Sequence, residues 1–218
     1  MWPLSHERRW LVPALVKEAP RGAEARCPAP PRLTTQDRME LLEVAQVALG
    51  VATGLRSAPD LAGLVRRASR HNVGRERRAA FVTLFESGEL RGCVGTFEPS
   101  CRLPESVARA ALLAARADPR FWPLNASELP AIQIEISVLG DMVEISDPDS
   151  VQLGREGVVV ERNGRHGLLL PEVGAEMGLD APRLWGAVCD KAGMADDAWR
   201  DRATRLLVFE TVRFGSPT

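Results

Sequence analysis

The run Glu89-Leu90-Arg91-Gly92-Cys93-Val94-Gly95-Thr96-Phe97 sets a guanidinium two residues before a thiol and brackets that thiol with glycines. In a β-strand successive side chains alternate faces, so the spacing predicts that Arg91 and Cys93 point the same way. A fixed cation favours a neighbouring thiolate, and glycines let another backbone or a ligand approach closely. Cys93 is therefore a candidate catalytic nucleophile, with backbone N–H groups around Gly92 and Gly95 available to an oxyanion. The competing reading is structural. A cysteine can serve as a small core hydrophobe, and the two glycines can mark a β-bulge or a tight crossing beneath another element. No Cys-His-Asp arrangement is visible, and His166 is the one histidine in a clearly ordered segment. The motif marks a site without naming a reaction.

Other residues could serve the same site. Arg91, if partly buried, needs a partner, and Glu89 or Glu135 across the sheet would supply one. Glu135, with Gln133, lies on the polar side of an alternating segment and is either an acid or base in a cleft or a solvent-facing charge. Arg120 follows Asp118-Pro119 and either binds an anionic ligand or caps the carbonyls of the preceding helix. Lys191 has the same two readings. Arg66, Arg67, Arg70, His71, Arg75, Arg77 and Arg78 form a basic cluster that could track a phosphate backbone. It lacks interleaved aromatics for stacking, so a solvated helix face accounts for it and nucleic acid is not expected as a partner.

Composition narrows the classes. The 218 residues carry a formal net charge of -1, with 45% hydrophobic and 26% charged side chains, which fits an ordinary globular protein. Such a balance gives no global pull toward nucleic acid or an acidic membrane. The four cysteines, Cys27, Cys93, Cys101 and Cys189, lie far apart, and the three histidines, His6, His71 and His166, show no metal-ligand spacing. Reduced thiols in a cytoplasmic protein without a metal site or a cofactor are expected. The apolar piece Leu11–Val16 is short and broken by Pro13, so neither a secretion signal nor a membrane span is expected.

The elements that must position these residues follow from capping and periodicity. Residues 1–33 are rich in proline, arginine and alanine and read as an extended leader outside the folded unit, with Trp2 or Trp10 as its points of docking. Thr34 caps a first helix with Asp37 in its opening turn, and a second helix follows Pro59. Phe81–Phe85 reads as a strand that turns at Glu86–Glu89 into the glycine motif, forming a hairpin. Pro104 opens a helix faced by Val107, Ala110, Ala111 and Ala114, which ends at Asp118-Pro119. Ile132, Ile134, Ile136 and Val138 alternate with polar residues as a strand. Asn163-Gly164 predicts a type I′ turn between Val158–Glu161 and His166–Leu170. Asp180 caps a helix closed by Gly193, a short turn surrounds Trp199, and a last strand covers Leu206–Phe209. Helices alternating with hairpins imply an α+β fold with largely antiparallel sheets and flanking helices.

In their order, Leu90-Arg91-Gly92-Cys93-Val94-Gly95-Thr96, Asp118-Pro119-Arg120-Phe121, Ile134–Leu139, Gly167–Pro171 and Lys191-Ala192-Gly193 with Trp199 resemble the blocks of the AMMECR-type domain family, over residues 34–214. The one departure in the signature is Val94 where the family has isoleucine. The resemblance implies two unequal α+β subdomains, the larger containing both chain ends, with the motif near a cleft between them. It also implies kinship with the A component of the AmmeMemoRadiSam system, which accompanies Memo-like and radical-SAM proteins. The motif and the resemblance together imply an accessory or small-ligand-binding component. Its cleft would hold a small anionic molecule or a partner segment, with Arg91, Gly92, Gly95, Arg120 and Glu135 as the binding residues. A cysteine-dependent enzyme using Cys93 is the first alternative, and an RNA-binding module using Arg66–Arg78 is the second.

Overall fold

The computed structural model describes residues 29–70, 72–96 and 99–216. The expected leader as far as residue 28, with Trp2, Trp10 and Cys27, lies outside the described residues, as do His71 and Phe97. The chain divides into two compact units. Met142–Phe209 forms one, and the described chain up to Asp141 together with the segment from Glu210 onward forms the other.

The unit that carries the signature begins with helix α1, Thr35–Ala52. It starts where it does because Thr34 and Asp37 cap each other: the Asp37 amide donates to Thr34 Oγ1 at 3.1 Å and the Thr34 amide to Asp37 Oδ2 at 2.9 Å. Ser57 and Asp60 repeat this device at the start of α2, Ala58–Ala68. Strands β1, Ala80–Glu86, and β2, Glu89–Gly95, form the expected hairpin. Helix α3, Leu103–Arg116, opens with Pro104 in its first turn, and strand β3, Ile132–Leu139, follows. The sheet runs β2-β1-β3 and continues to β7, Arg205–Gly215, whose residues Thr211–Gly215 pair antiparallel with β3.

Period-2 alternation sends Val82, Leu84, Ile134, Ile136 and Val138 to one face of this sheet, where they are buried with Val44, Ala45 and Ala48 of α1 and Val107, Ala111 and Ala114 of α3. The run of alanines is what lets α3 lie close to the sheet. The opposite face carries Thr83, Cys93, Glu135 and Ser137. It is not a simple solvent face, because Thr83 and Ser137 are themselves buried.

The second unit contains β4, Val143–Ile145, β5, Glu156–Arg162, β6, Arg165–Leu169, α4, Pro171–Glu176, and α5, Ala181–Lys191. Its core joins Leu184, Trp185 and Val188 of α5 to Val158, Val160 and Leu169, with Leu206 and Val208 of β7. Trp185 is fully buried and its indole N–H donates to the Pro148 carbonyl at 3.0 Å. The β5–β6 turn has φ of 50° at Asn163 and 73° at Gly164, the two positive values that a type I′ turn requires. The fold is α+β with antiparallel pairing, as expected. Two short elements, β4 and α4, escaped the sequence reading because three and six residues are too few to show a period.

Candidate functional site

The signature hairpin is irregular at the residue that matters most. Leu84 pairs with Gly92 and Phe85 with Leu90, so Arg91 is the extra residue of a β-bulge. Alternation across a bulge no longer fixes which way a side chain points, and the expected same-face pairing of Arg91 with Cys93 does not follow. The Arg91 guanidinium instead donates from Nε to Glu128 Oε1 at 2.7 Å, with both side chains less than one-fifth exposed at 14% and 18%. Its expected partners Glu89 and Glu135 are replaced by a residue beyond α3.

Cys93 sits opposite Thr83, and Thr83 sits opposite Glu135 on its other side. The three therefore form a row across the sheet, which puts Cys93 and Glu135 about 10 Å apart at the usual strand spacing. Thr83 Oγ1 donates to Cys93 Sγ at 3.3 Å. Glu135 lies 3.6 Å from the Nε of Arg213.

The centre of the arrangement is Asp118, whose side chain is 1% exposed. Its Oδ2 accepts from the Cys93 amide at 2.8 Å and from Arg120 Nη2 at 2.7 Å. Its Oδ1 accepts from Arg120 Nε at 2.9 Å and from the Arg120 amide at 3.1 Å. Arg120 Nη2 also donates to the Cys93 carbonyl at 3.3 Å. The end of α3 is thus tied to both backbone polar groups of Cys93. Pro119 explains the placement: it stops the helix at Ala117 and turns Asp118 inward, and Arg120 then folds back over it. Arg120 does not cap the helix carbonyls, which corrects one of its two expected roles.

Phe121 completes the group. The Arg91 and Arg120 guanidiniums lie 5.9 and 5.5 Å from its ring centroid, a cation–π contact from each. Glu128, which holds Arg91, also accepts the Asn125 amide at 2.9 Å through its other oxygen.

These contacts set protonation. Burial pushes the Asp118 carboxyl up, but the hydrogen bonds from Arg120 and the Cys93 amide, with the Arg120 charge, together outweigh it and hold the group below its ordinary value. Glu128 is likewise held down, chiefly by the Arg91 hydrogen bond against a smaller effect of burial. Both are carboxylates at neutral pH and poor proton acceptors.

The glycines have steric roles. A Cβ on Gly92 would lie 2.5 Å from the Ala114 carbonyl of α3, and one on Gly95 would lie 2.5 Å from the Ala80 carbonyl and overlap the Phe81 ring. The Cys93 N–H is already given to Asp118, so it is not available as an oxyanion donor. Lys191, at the end of α5, belongs to the other unit.

Four residues of this constellation, Thr83, Asp118, Phe121 and Glu128, were not singled out as site residues from sequence. Asp118 and Phe121 had a signal, since they flank Arg120 in a block of the family resemblance. Glu128 had none, because its link to Arg91 spans 37 positions. Among the described residues no group of three or more His, Cys, Asp and Glu side chains is placed to hold a metal ion. No helix among them is long and apolar enough to cross a membrane.

Comparison with known proteins gives concordant matches. Residues 44–214 match the family model AMMECR1. A protein of Methanothermobacter thermautotrophicus is 40% identical over 149 residues, covering 66% of this chain and 78% of its own length. A protein of Methanosarcina barkeri is 40% identical over 129 residues, covering 57% of this chain and 64% of its own. The crystal structure of an uncharacterized protein from Pyrococcus horikoshii superposes with a TM-score of 0.73 at 29% identity, covering 84% of this chain and 93% of that one.

Proposed function

Taking as premise that the chain belongs to the AMMECR1 family, we propose that it is an accessory, small-ligand-binding protein whose ligand is anionic and rests against Arg91, Cys93 and Arg120. One observation carries this reading. Two guanidiniums share the Phe121 ring, each already oriented by a carboxylate, and Arg120, which also bonds the Cys93 carbonyl, is still 42% exposed. A guanidinium fixed by one carboxylate has donors left on its other edge and little rotamer freedom left to lose, so binding costs less entropy. The same carboxylates cancel most of the net charge. Recognition would then rest on directed hydrogen bonds rather than on a strong field, and affinity would be modest. Within this reading Gly92 and Gly95 hold the floor close to its supports, and Glu135 borders it two strands away. The family resemblance supports Memo-like and radical-SAM proteins as partners in the cytoplasm.

Thermal shift on the full chain tests the reading, with inorganic phosphate and nucleoside monophosphates as probes. Saturable stabilisation that Arg120→Gln abolishes and Arg120→Lys weakens is expected. No stabilisation by any probe, or the same stabilisation in Arg120→Gln, would overturn it. A second reading, Cys93 as a nucleophile, draws on the Thr83 hydroxyl directed at its sulfur. It predicts that Cys93 alkylates at least about tenfold faster than Cys101, which is also half-buried, at neutral pH. Equal rates would end it.

A further inference from the structure

The arginine cluster plays no part in the site above, and its side-chain pairing marks it as a surface of its own. Arg66, Arg67, Arg70, Arg75, Arg77 and Arg102 are all exposed. They belong to three segments that the fold ties together at the C-terminal end of α2. The strand-like bridge Arg77–Arg102 and the Leu103 amide donating to Glu76 O at 2.9 Å bind the second segment to the third. Arg102 Nη1 reaches the Ser69 carbonyl at 3.3 Å and Arg75 Nε the Arg70 carbonyl, which bind both to the first. The guanidiniums of Arg75 and Arg102 therefore hang from consecutive carbonyls, and Arg77 is held by the carbonyl of Ser100.

These partners are neutral. Arg75, Arg77 and Arg102 donate to backbone carbonyls, and Arg66 and Arg70 have no side-chain hydrogen bond or ion pair among the described residues. The acidic groups nearby do little to neutralise them. Glu76 is bound to Arg78 at 2.8 Å, and Glu43 approaches Arg67 only to 3.9 Å with both side chains more than half exposed. Glu105 is exposed in the first turn of α3, and Asp37 and Glu40, which line one hollow with Ala68, Val73 and Pro104, accept hydrogen bonds from Thr34 and Gln36. A chain of net charge -1 thus concentrates uncompensated positive charge in one place.

We infer that this surface binds the phosphodiester backbone of structured nucleic acid without reading its sequence. Arginine forks match phosphate oxygens, and three of these forks are held in place before any ligand arrives. The patch has no exposed large apolar side chain: those among the described residues are Met39, Leu55, Trp122, Leu153 and Met177, none of them in its three segments. A protein partner would ordinarily need an apolar or aromatic anchor at the centre of its contact, and single strands need aromatic platforms. A duplex backbone needs neither.

The test is fluorescence anisotropy of the full chain with a labelled duplex of roughly 20 base pairs, made once as RNA and once as DNA, from about 50 to about 200 mM salt. Binding whose log K falls linearly with log salt, with a slope of about -4, is expected from four or five phosphate contacts. Arg66→Gln with Arg70→Gln should lower the magnitude of that slope by about 2 and leave the melting temperature unchanged. Preference for either duplex supports the inference and names the source, and equal binding supports it as recognition of the shared phosphodiester backbone. Failure to bind either duplex at the lowest salt, an unchanged slope in the double variant, or equal competition by polyglutamate would overturn it.

Discussion

Asp118 is the residue on which the signature site turns. Four donors converge on its carboxylate, and two of them come from Arg120 side-chain nitrogens. Asp118→Asn keeps the shape but turns one oxygen into an NH2 that faces donors. The expected loss is about 3 kcal/mol of stability by chemical denaturation, because a buried charge pair has lost one member. Gly92→Ala tests a different demand, that α3 lie against β2. Its Cβ would meet the Ala114 backbone rather than a side chain that could move aside, so a loss of about 2 kcal/mol is expected. If Gly92→Ala were neutral, the glycine would serve something other than this crossing. Sequence pointed to Arg91, Cys93 and Arg120 through their chemistry, but it could not show which carboxylates hold the arginines. Ion pairs between residues distant in the chain leave no periodic trace.

At the scale of elements, boundaries were legible wherever a local chemical signal sets them. Thr34 with Asp37, Pro104, Asn163-Gly164 and Asp180 each mark an end that the structure places within a residue or two. The Asn163-Gly164 turn gives a direct check. Gly164 has a φ of 73° with open space around it, so Gly164→Ala meets no neighbour and should cost about 1 kcal/mol through backbone strain alone. A loss several times larger, measured by denaturant titration, would mean that the turn does more than reverse the chain. The bulge at Arg91 was only one of two offers made for the glycines, and no residue pattern fixed its position. The contacts that flank it, Asp118 with the Cys93 amide and Glu128 with the Arg91 side chain, join residues distant in the chain. Strand β7 also outran its expected end at Phe209, because its second half pairs with β3 rather than showing a clear alternation of its own.

For the whole molecule, acid sensitivity follows from the groups whose ionisation the fold favours. Asp118 and Glu128 both have folded pKa values below their ordinary ones. Each contributes stability that is complete above the unfolded carboxylate range, near pH 4, and is lost as pH falls through the lower folded value. Melting temperature should therefore fall below about pH 4, and Asp118→Asn combined with Glu128→Gln should flatten that fall while lowering the plateau at neutral pH. An acid limb with the same steepness in the double variant would show that these pairs do not govern it. The α+β class was legible from the alternation of helices and hairpins, and family membership from ordered blocks. What the family does was not, since function resides in side-chain geometry rather than in fold.

Whether Arg91, Cys93 and Arg120 present a prepared surface to a small anion, as proposed, can be read from backbone and side-chain NMR of the full chain. Titrating inorganic phosphate and then nucleoside monophosphates should move the Cys93 amide and the Arg120 Nε resonances together and saturably, with both shifts lost in Arg120→Gln while the Gly164 amide stays in place. Resonances of Cys93 and Arg120 that stay fixed to millimolar concentrations of every probe, or shifts that persist in Arg120→Gln, would contradict it.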